Sequence, residues 1–159
     1  MPDLLNSLSL AYEADGKYTQ AKKYLKMTCE TYKETQGIYD SDTLQCLNNL
    51  AALYLSMGKY DLANKQFHFC MEYSSKTMGN NDPLTLKIMN NLANLYKLQN
   101  RYQEAEALLL DCIERSKNLL QKCTLHKSNK FIKKECLVPL VILNNLASIY
   151  QLKEQYFFI

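Results

Sequence analysis

The stretch CLNNLAALYLSMGKY, from Cys46 to Tyr60, decides the fold because the chain repeats it. Its Asn-Asn-Leu-Ala segment at 48–51 returns at 90–93. The related Asn-Ser-Leu-Ser precedes it at 6–9 with the same offset of 42, and a fourth copy begins at Asn144, later than that offset would place it. Four copies of one pattern indicate a repeat protein, with about 12 residues inserted before the last copy.

Each repeat is predicted to form two helices. In the second copy the first helix has apolar residues at steps of three and four, namely Leu44, Leu47, Leu50, Ala51 and Tyr54. Gly58 is expected to end this helix, because glycine adopts the left-handed cap conformation easily. A second apolar stripe follows, formed by Tyr60, Ala63, Phe67, Cys70 and Met71. Asp82 and Pro83 are a plausible N-cap and first residue of the next helix.

This order of small and large residues resembles the tetratricopeptide repeat (TPR), in which a Leu, a small residue and a Tyr precede an Ala and a large residue. The resemblance implies an all-α fold, a right-handed α-solenoid of helix-turn-helix repeats. We expect one TPR array over residues 3–156, with units of about 3–42, 43–83, 84–122 and 137–159 and a basic insertion loop at 123–136. The last unit is expected to be incomplete, its second helix having just begun.

The repeats also resemble those of kinesin light chains and related TPR proteins. This resemblance rests on three features: the period of 42, the sequence Asn-Asn-Leu-Ala-x-Leu-Tyr, and an Asp-containing turn before the next Thr-Leu. It implies a non-catalytic adaptor that binds an extended peptide segment in the concave groove lined by the first helix of each pair. The groove positions that the family implies are Asn6, Gln45, Asn48, Lys87, Asn90, Asn94, Lys97, Asn144, Ser148 and Gln151.

The asparagine pairs are the part of the repeat that apolar packing does not require. A side-chain amide both donates and accepts hydrogen bonds, so the first Asn of each pair is expected to form a ladder that binds a peptide backbone. The second Asn, as in Asn49, is expected to tie the solenoid together. If the ladder hypothesis holds, replacing Asn48 and Asn90 by Ala abolishes binding without lowering the melting temperature; the alternative is that these Asn residues are structural.

The charged residues of the expected groove and of the insertion indicate which partners the protein could bind. Asn6, Leu10, Asn48 and Ala52 occupy the positions where some TPR domains carry the Lys and Arg residues that clamp chaperone tails, so that clamp is absent. Lys87 and Lys97 would suit a ligand with an acidic stretch, although a solvated helix face explains them equally well. The insertion carries a cluster of lysines, Lys127, Lys130, Lys133 and Lys134. This cluster is either part of a solvated loop or a patch that binds an acidic surface such as tubulin.

Other functions find little support. The net charge of +3 is too small to indicate nucleic-acid binding, and no apolar run is long enough to span a membrane. The spacing of Cys123, His126 and Cys136 matches no usual zinc site and supplies three ligands, so no metal or other cofactor is expected. His68 and His126 lie near no nucleophile motif, and we expect no enzyme. Without paired-cysteine motifs, the six cysteines are expected to be free thiols.

The end of the chain suggests an alternative function. An uncapped apolar cluster there is expected to make assembly contacts, and it consists of Tyr156, Phe157, Phe158 and Ile159. Because this cluster would be exposed on a monomer, we expect either a piece of a longer repeat protein or a subunit buried in an assembly, and instability in isolation. The alternative is therefore a rigid spacer in a cytoskeletal assembly, such as a cilium. We expect a cytoplasmic protein, with a cytoskeletal or ciliary site under this alternative.

Overall fold

The computed structural model describes residues 2–125 and 137–157, and they form seven helices with no strand in this part of the chain. Residues 1–78 form one compact unit and residues 79–159 a second. The first unit contains α1 (Pro2–Ala14), α2 (Tyr18–Gln36), α3 (Ser41–Ser56) and α4 (Tyr60–Thr77). The second contains α5 (Pro83–Leu98), α6 (Tyr102–Leu125) and α7 (Leu137–Phe157). The predicted two-helix repeats are therefore present, with α6 extending into the segment expected to be a loop.

The turn within each helix pair is built identically three times. Gly16, Gly58 and Asn100 all have positive φ, of 72°, 69° and 62°. The amide that follows each of them donates to the carbonyl five residues earlier, as from Lys59 N to Tyr54 O at 2.9 Å. This is a Schellman cap, which requires a residue that tolerates the left-handed conformation. Gly58 therefore ends its helix as predicted.

The fourth repeat has no such turn. Glu154 lies at the position equivalent to Asn100, and α7 continues through it to Phe157. The expectation that a separate second helix had begun near Tyr156 is wrong, because nothing at this position favours positive φ. Ala147, which is equivalent in the repeat to the buried Ala51 and Ala93, is exposed.

The loop before each following hairpin also repeats, and we call each copy a loop joint. In the first copy Asp40 accepts from the amide of Asp42 at 2.8 Å, and the buried Thr43 hydroxyl donates to Gly37 O at 2.7 Å. In the second copy Asp82 accepts from Leu84 N at 2.8 Å and Thr85 donates to Gly79 O at 2.9 Å. The predicted N-cap at Asp82, with Pro83 as the first helical residue, is confirmed.

Alanines allow the helices within each unit to approach one another. Ala21, Ala51 and Ala63 in the first unit, and Ala93 and Ala105 in the second, are at most 1% exposed. Large side chains such as Phe67 fill the remaining space and are equally buried. This close packing is what a small residue at a helix contact permits.

The cysteines differ from expectation. Cys29 on α2 and Cys46 on α3 are joined by a disulfide, with their Cα atoms 5.5 Å apart, so the prediction that all cysteines are free thiols is wrong. Packing of α2 on α3 brings the two side chains together, although no sequence motif marks the pair. Cys70 and Cys112 are free and fully buried, and burial raises the pKa of each thiol to about 12. Cys70 therefore lies in the core, as its place in the apolar stripe predicts, and Cys112 lies in the core as well.

Candidate functional site

In the first unit the expected groove positions are only partly accessible. Asn6 on α1 and Gln45 on α3 are half-buried, whereas Asn48 is 0% exposed. Gln45 donates from Nε2 to Oδ1 of Asn49 at 2.9 Å, one turn along the same helix. A peptide backbone could reach Asn48 only if the packed residues around it moved.

In the second unit the expected positions follow α5 and α7. Lys87, Asn144 and Gln151 are exposed, and Asn94, Lys97 and Ser148 are half-buried. A cleft of about 180 Å³ lies between these two helices, and its lining consists of Lys87, Asn90, Asn91, Val138 and Val141. Amides, a cation and two valines therefore line one small depression, which we call the α5–α7 cleft.

Asn90 itself is used inside the protein. It is 7% exposed, and its Oδ1 accepts a hydrogen bond from Nδ2 of Asn145 at 2.8 Å. This bond joins the first Asn of the third repeat to the second Asn of the fourth, and it holds α7 against α5. Asn90 therefore forms its hydrogen bond with another repeat of the same chain, whereas Asn144 stays exposed.

A second polar contact anchors α7, this time on α6. Lys153 forms an ion pair with Glu106, and both side chains are mostly buried. Hydrogen bonds from Lys153 and then Tyr150 hold the pKa of Glu106 below its usual value, and the same contact raises the pKa of Tyr150. The carboxylate is therefore kept ionised at the α6–α7 contact, which fixes the helix that carries Asn144 and Gln151.

Several predicted site residues lie outside what the structure describes. The side chains of Tyr156 and Phe157 are not described, and Phe158 and Ile159 lie beyond the described residues. The same holds for His126, Cys136 and the lysine cluster of the insertion, and for the side chain of Cys123. Among the described residues no three potential ligands gather to hold a metal ion.

Pairs of helices that recur along the chain, with the same turn joining the two helices of each pair, define a helical-hairpin repeat protein. The chain belongs to the tetratricopeptide repeat family, whose model matches residues 1–68 and 42–118. The all-α TPR solenoid class predicted from the sequence is thereby confirmed. No curated protein matches the chain.

Solved structures show the same fold. Nearly identical TPR-like repeats of a protein designated a kinesin light chain in Podosopora anserina have a TM-score of 0.68 at 19% identity, covering 98% of this chain and 89% of that one. BtubC (BKLC) from P. vanneervenii has 0.63 at 14% identity, covering 97% of this chain and 66% of its own. The Yersinia enterocolitica type III secretion chaperone SycD, solved with a peptide of the translocator YopD, has 0.57 at 22% identity, covering 95% and 93%.

These similarities confirm the resemblance to kinesin light chain-type repeats at the level of the fold. The fold is that of a protein-interaction scaffold, and it is generally non-catalytic. In the described part of the chain, no helix combines the length and the apolar character that crossing a membrane requires.

Proposed function

We propose that this protein is a non-catalytic adaptor that binds an extended peptide segment of another protein along the first helices of its repeats. The observation that carries the proposal is the α5–α7 cleft, whose lining includes Lys87 and Val141, together with the exposed amides of Asn144 and Gln151, which follow Val141 along α7. Such amides can bond to a peptide backbone without regard to its sequence. SycD, a structural neighbour, was solved with a bound peptide, which supports peptide binding by this fold.

The structure changes which residues we assign to the ligand. Asn94, Lys97 and Ser148 remain candidates because they keep partial exposure on the same two helices. Asn48 and Asn90 are buried, so we assign them to the scaffold that presents these side chains. Lys87 favours a ligand with an acidic stretch over the third repeat.

The experiment is a selection from a phage-displayed library of random 12-residue peptides, followed by affinity measurements with the enriched peptides. Loss of two backbone hydrogen bonds, each worth about 0.5–1.5 kcal/mol, is expected to weaken binding by about 5- to 150-fold in Asn144→Ala/Gln151→Ala. Both residues are exposed, so the melting temperature should not fall. The matched control is Asn81→Ala/Gln103→Ala, which removes two exposed amides that lie neither on α7 nor in the cleft lining. Equal binding by both variants would refute the proposal.

A rigid spacer in a cytoskeletal or ciliary assembly is the second candidate, and one observation favours it. Leu140, Val141 and Leu143 on α7 are each about half exposed, an apolar surface that a neighbouring subunit would cover. Under this function the library yields no peptide that depends on Asn144 and Gln151. The same experiment therefore separates the two functions, and the cytoplasmic location that we expect is compatible with both.

A further inference from the structure

A cleft in the first unit lies away from the expected groove. It has a volume of about 490 Å³ and lies between α2 and α4, with α3 beneath it. We call it the α2–α4 cleft. Leu47 and Leu50 line it from α3, on the side of that helix opposite to Gln45 and Asn48, since a residue turns about 100° per position. A ligand in this cleft would therefore not compete for the groove positions.

The floor of the cleft is apolar. Ile38, Leu47, Leu50 and Phe69 contribute to it. The Phe69 ring lies 4.6 Å from the ring of Tyr73, so the aromatic surface extends along α4 beyond the cleft. Aliphatic and aromatic side chains that line a cleft in this way bind the apolar side chains of a partner.

The rim is basic. Lys26 and Lys33 on α2 and Lys65 on α4 are exposed, and none forms an ion pair with a described residue. Glu30 is the single acidic residue in the lining. By contrast, Lys76 further along α4 is paired with Glu72. The three rim lysines therefore leave a net positive edge around an apolar floor.

The dimensions of the α2–α4 cleft indicate the shape of the ligand that it could bind. Lys26 and Lys33 are seven positions apart on one helix, which corresponds to roughly 10 Å, or two helical turns. A cleft of this length between two helices, with an apolar floor, matches the mode in which a partner helix inserts side chains at i, i+4 and i+7. Acidic residues on the flanks of that helix would face the lysines of both walls.

We propose that the α2–α4 cleft binds an acidic amphipathic helix of a partner protein, with its aliphatic side chains on Leu47, Leu50 and Phe69 and its carboxylates at Lys26, Lys33 and Lys65. This is a second interaction surface, independent of the peptide proposed for the α5–α7 cleft.

The test uses a displayed library of 14-residue peptides held helical by a side-chain staple, because short free helices are marginal in water. The full chain is the bait. Enriched peptides are expected to be rich in Asp and Glu and to carry aliphatic residues at i, i+4 and i+7. Their binding should weaken at least tenfold in Lys26→Glu/Lys33→Glu and fall steeply with added salt.

Lys23→Glu/Lys59→Glu is the matched control, since it makes the same charge change at exposed lysines outside the cleft. It should change affinity by less than twofold, as should Asn144→Ala/Gln151→Ala. Equal weakening in both lysine variants, or enrichment without acidic residues, would overturn the proposal. So would binding of dodecanoate at the cleft with no helical peptide enriched, which would assign the site to an anionic lipid instead.

Discussion

The hydrogen bond between Asn90 and Asn145 is expected to contribute measurably to stability, and its contribution can be isolated. The perturbation is Asn90→Ala, alone and combined with Asn145→Ala. Asn90 is 7% exposed and its acceptor lies 2.8 Å from the donor, so the substitution removes a well-formed and largely buried bond. The ladder hypothesis instead expects that replacing both Asn48 and Asn90 by Ala abolishes binding without lowering the melting temperature.

The magnitude follows from two opposing effects. Losing the bond costs about 1–2 kcal/mol, since the half-buried Asn145 amide can recover part of its bonding from water. Ala is a better helix former than Asn by up to about 0.7 kcal/mol, which offsets part of this loss. Asn90→Ala should therefore lower the free energy of unfolding by roughly 0.5–1.5 kcal/mol, or the melting temperature by about 2–4 °C per kcal/mol.

The assay is urea unfolding of the wild type, the two single variants and the double variant. The double-mutant cycle should give a coupling energy of about 0.5–1.5 kcal/mol. Asn94→Ala is the control: Asn94 is half-buried one turn along α5, and its replacement keeps the gain in helix propensity without breaking a described hydrogen bond. It should be neutral or slightly stabilising. A coupling energy below about 0.3 kcal/mol, the level at which independent sites simply add, would refute the reasoning, as would an equal loss in Asn94→Ala.

Two further predictions concern other contacts within the units. Cys46→Ser should lower the free energy of unfolding by about 3 kcal/mol, because the disulfide to Cys29 closes a loop with a sequence separation of 17; recovery of both residues alkylated from non-reduced protein would contradict it. Because its folded pKa is lowered from 4.5, the Glu106 carboxylate stabilises the fold above that pH and loses this effect as the pH falls through its folded pKa. Urea midpoints of the wild type and Glu106→Gln should therefore differ at pH 7 and converge in acid, and a constant difference would contradict the assignment.

The sequence predicts the fold well because the fold depends on features that repeat. Gly58 and Asn100 tolerate positive φ, and Asp82 caps a helix through a bond two residues along the chain. Each of these effects is local, so a single repeat contains the information needed to predict it. The apolar stripes work in the same way, since steps of three and four place residues on one helix face.

The site is less predictable because burial depends on residues distant in sequence. Asn48 and Asn144 occupy the same position in the repeat, yet one is 0% exposed and the other is on the surface. The bond between Asn90 and Asn145 spans 55 residues, and no local pattern indicates which Asn pairs with which. The disulfide has the same origin, since Cys29 and Cys46 meet only once α2 packs on α3. The absence of a helix-ending turn at Glu154 is predictable from the sequence, because neither Gly nor Asn occupies this position.

The two loop joints give the chain a natural unit of length. Gly37, Asp40 and Thr43 recur as Gly79, Asp82 and Thr85, with equivalent hydrogen bonds. Removing residues 43–84 would join Asp42 directly to Thr85, and the new junction would keep every spacing of a joint. Gain or loss of one whole period at a joint therefore keeps the spacing of the Gly, Asp and Thr residues that form it, whereas a change of another length within the joint would alter that spacing. The chain can therefore grow by duplication of whole periods without requiring a new hydrogen-bonding arrangement in its loops.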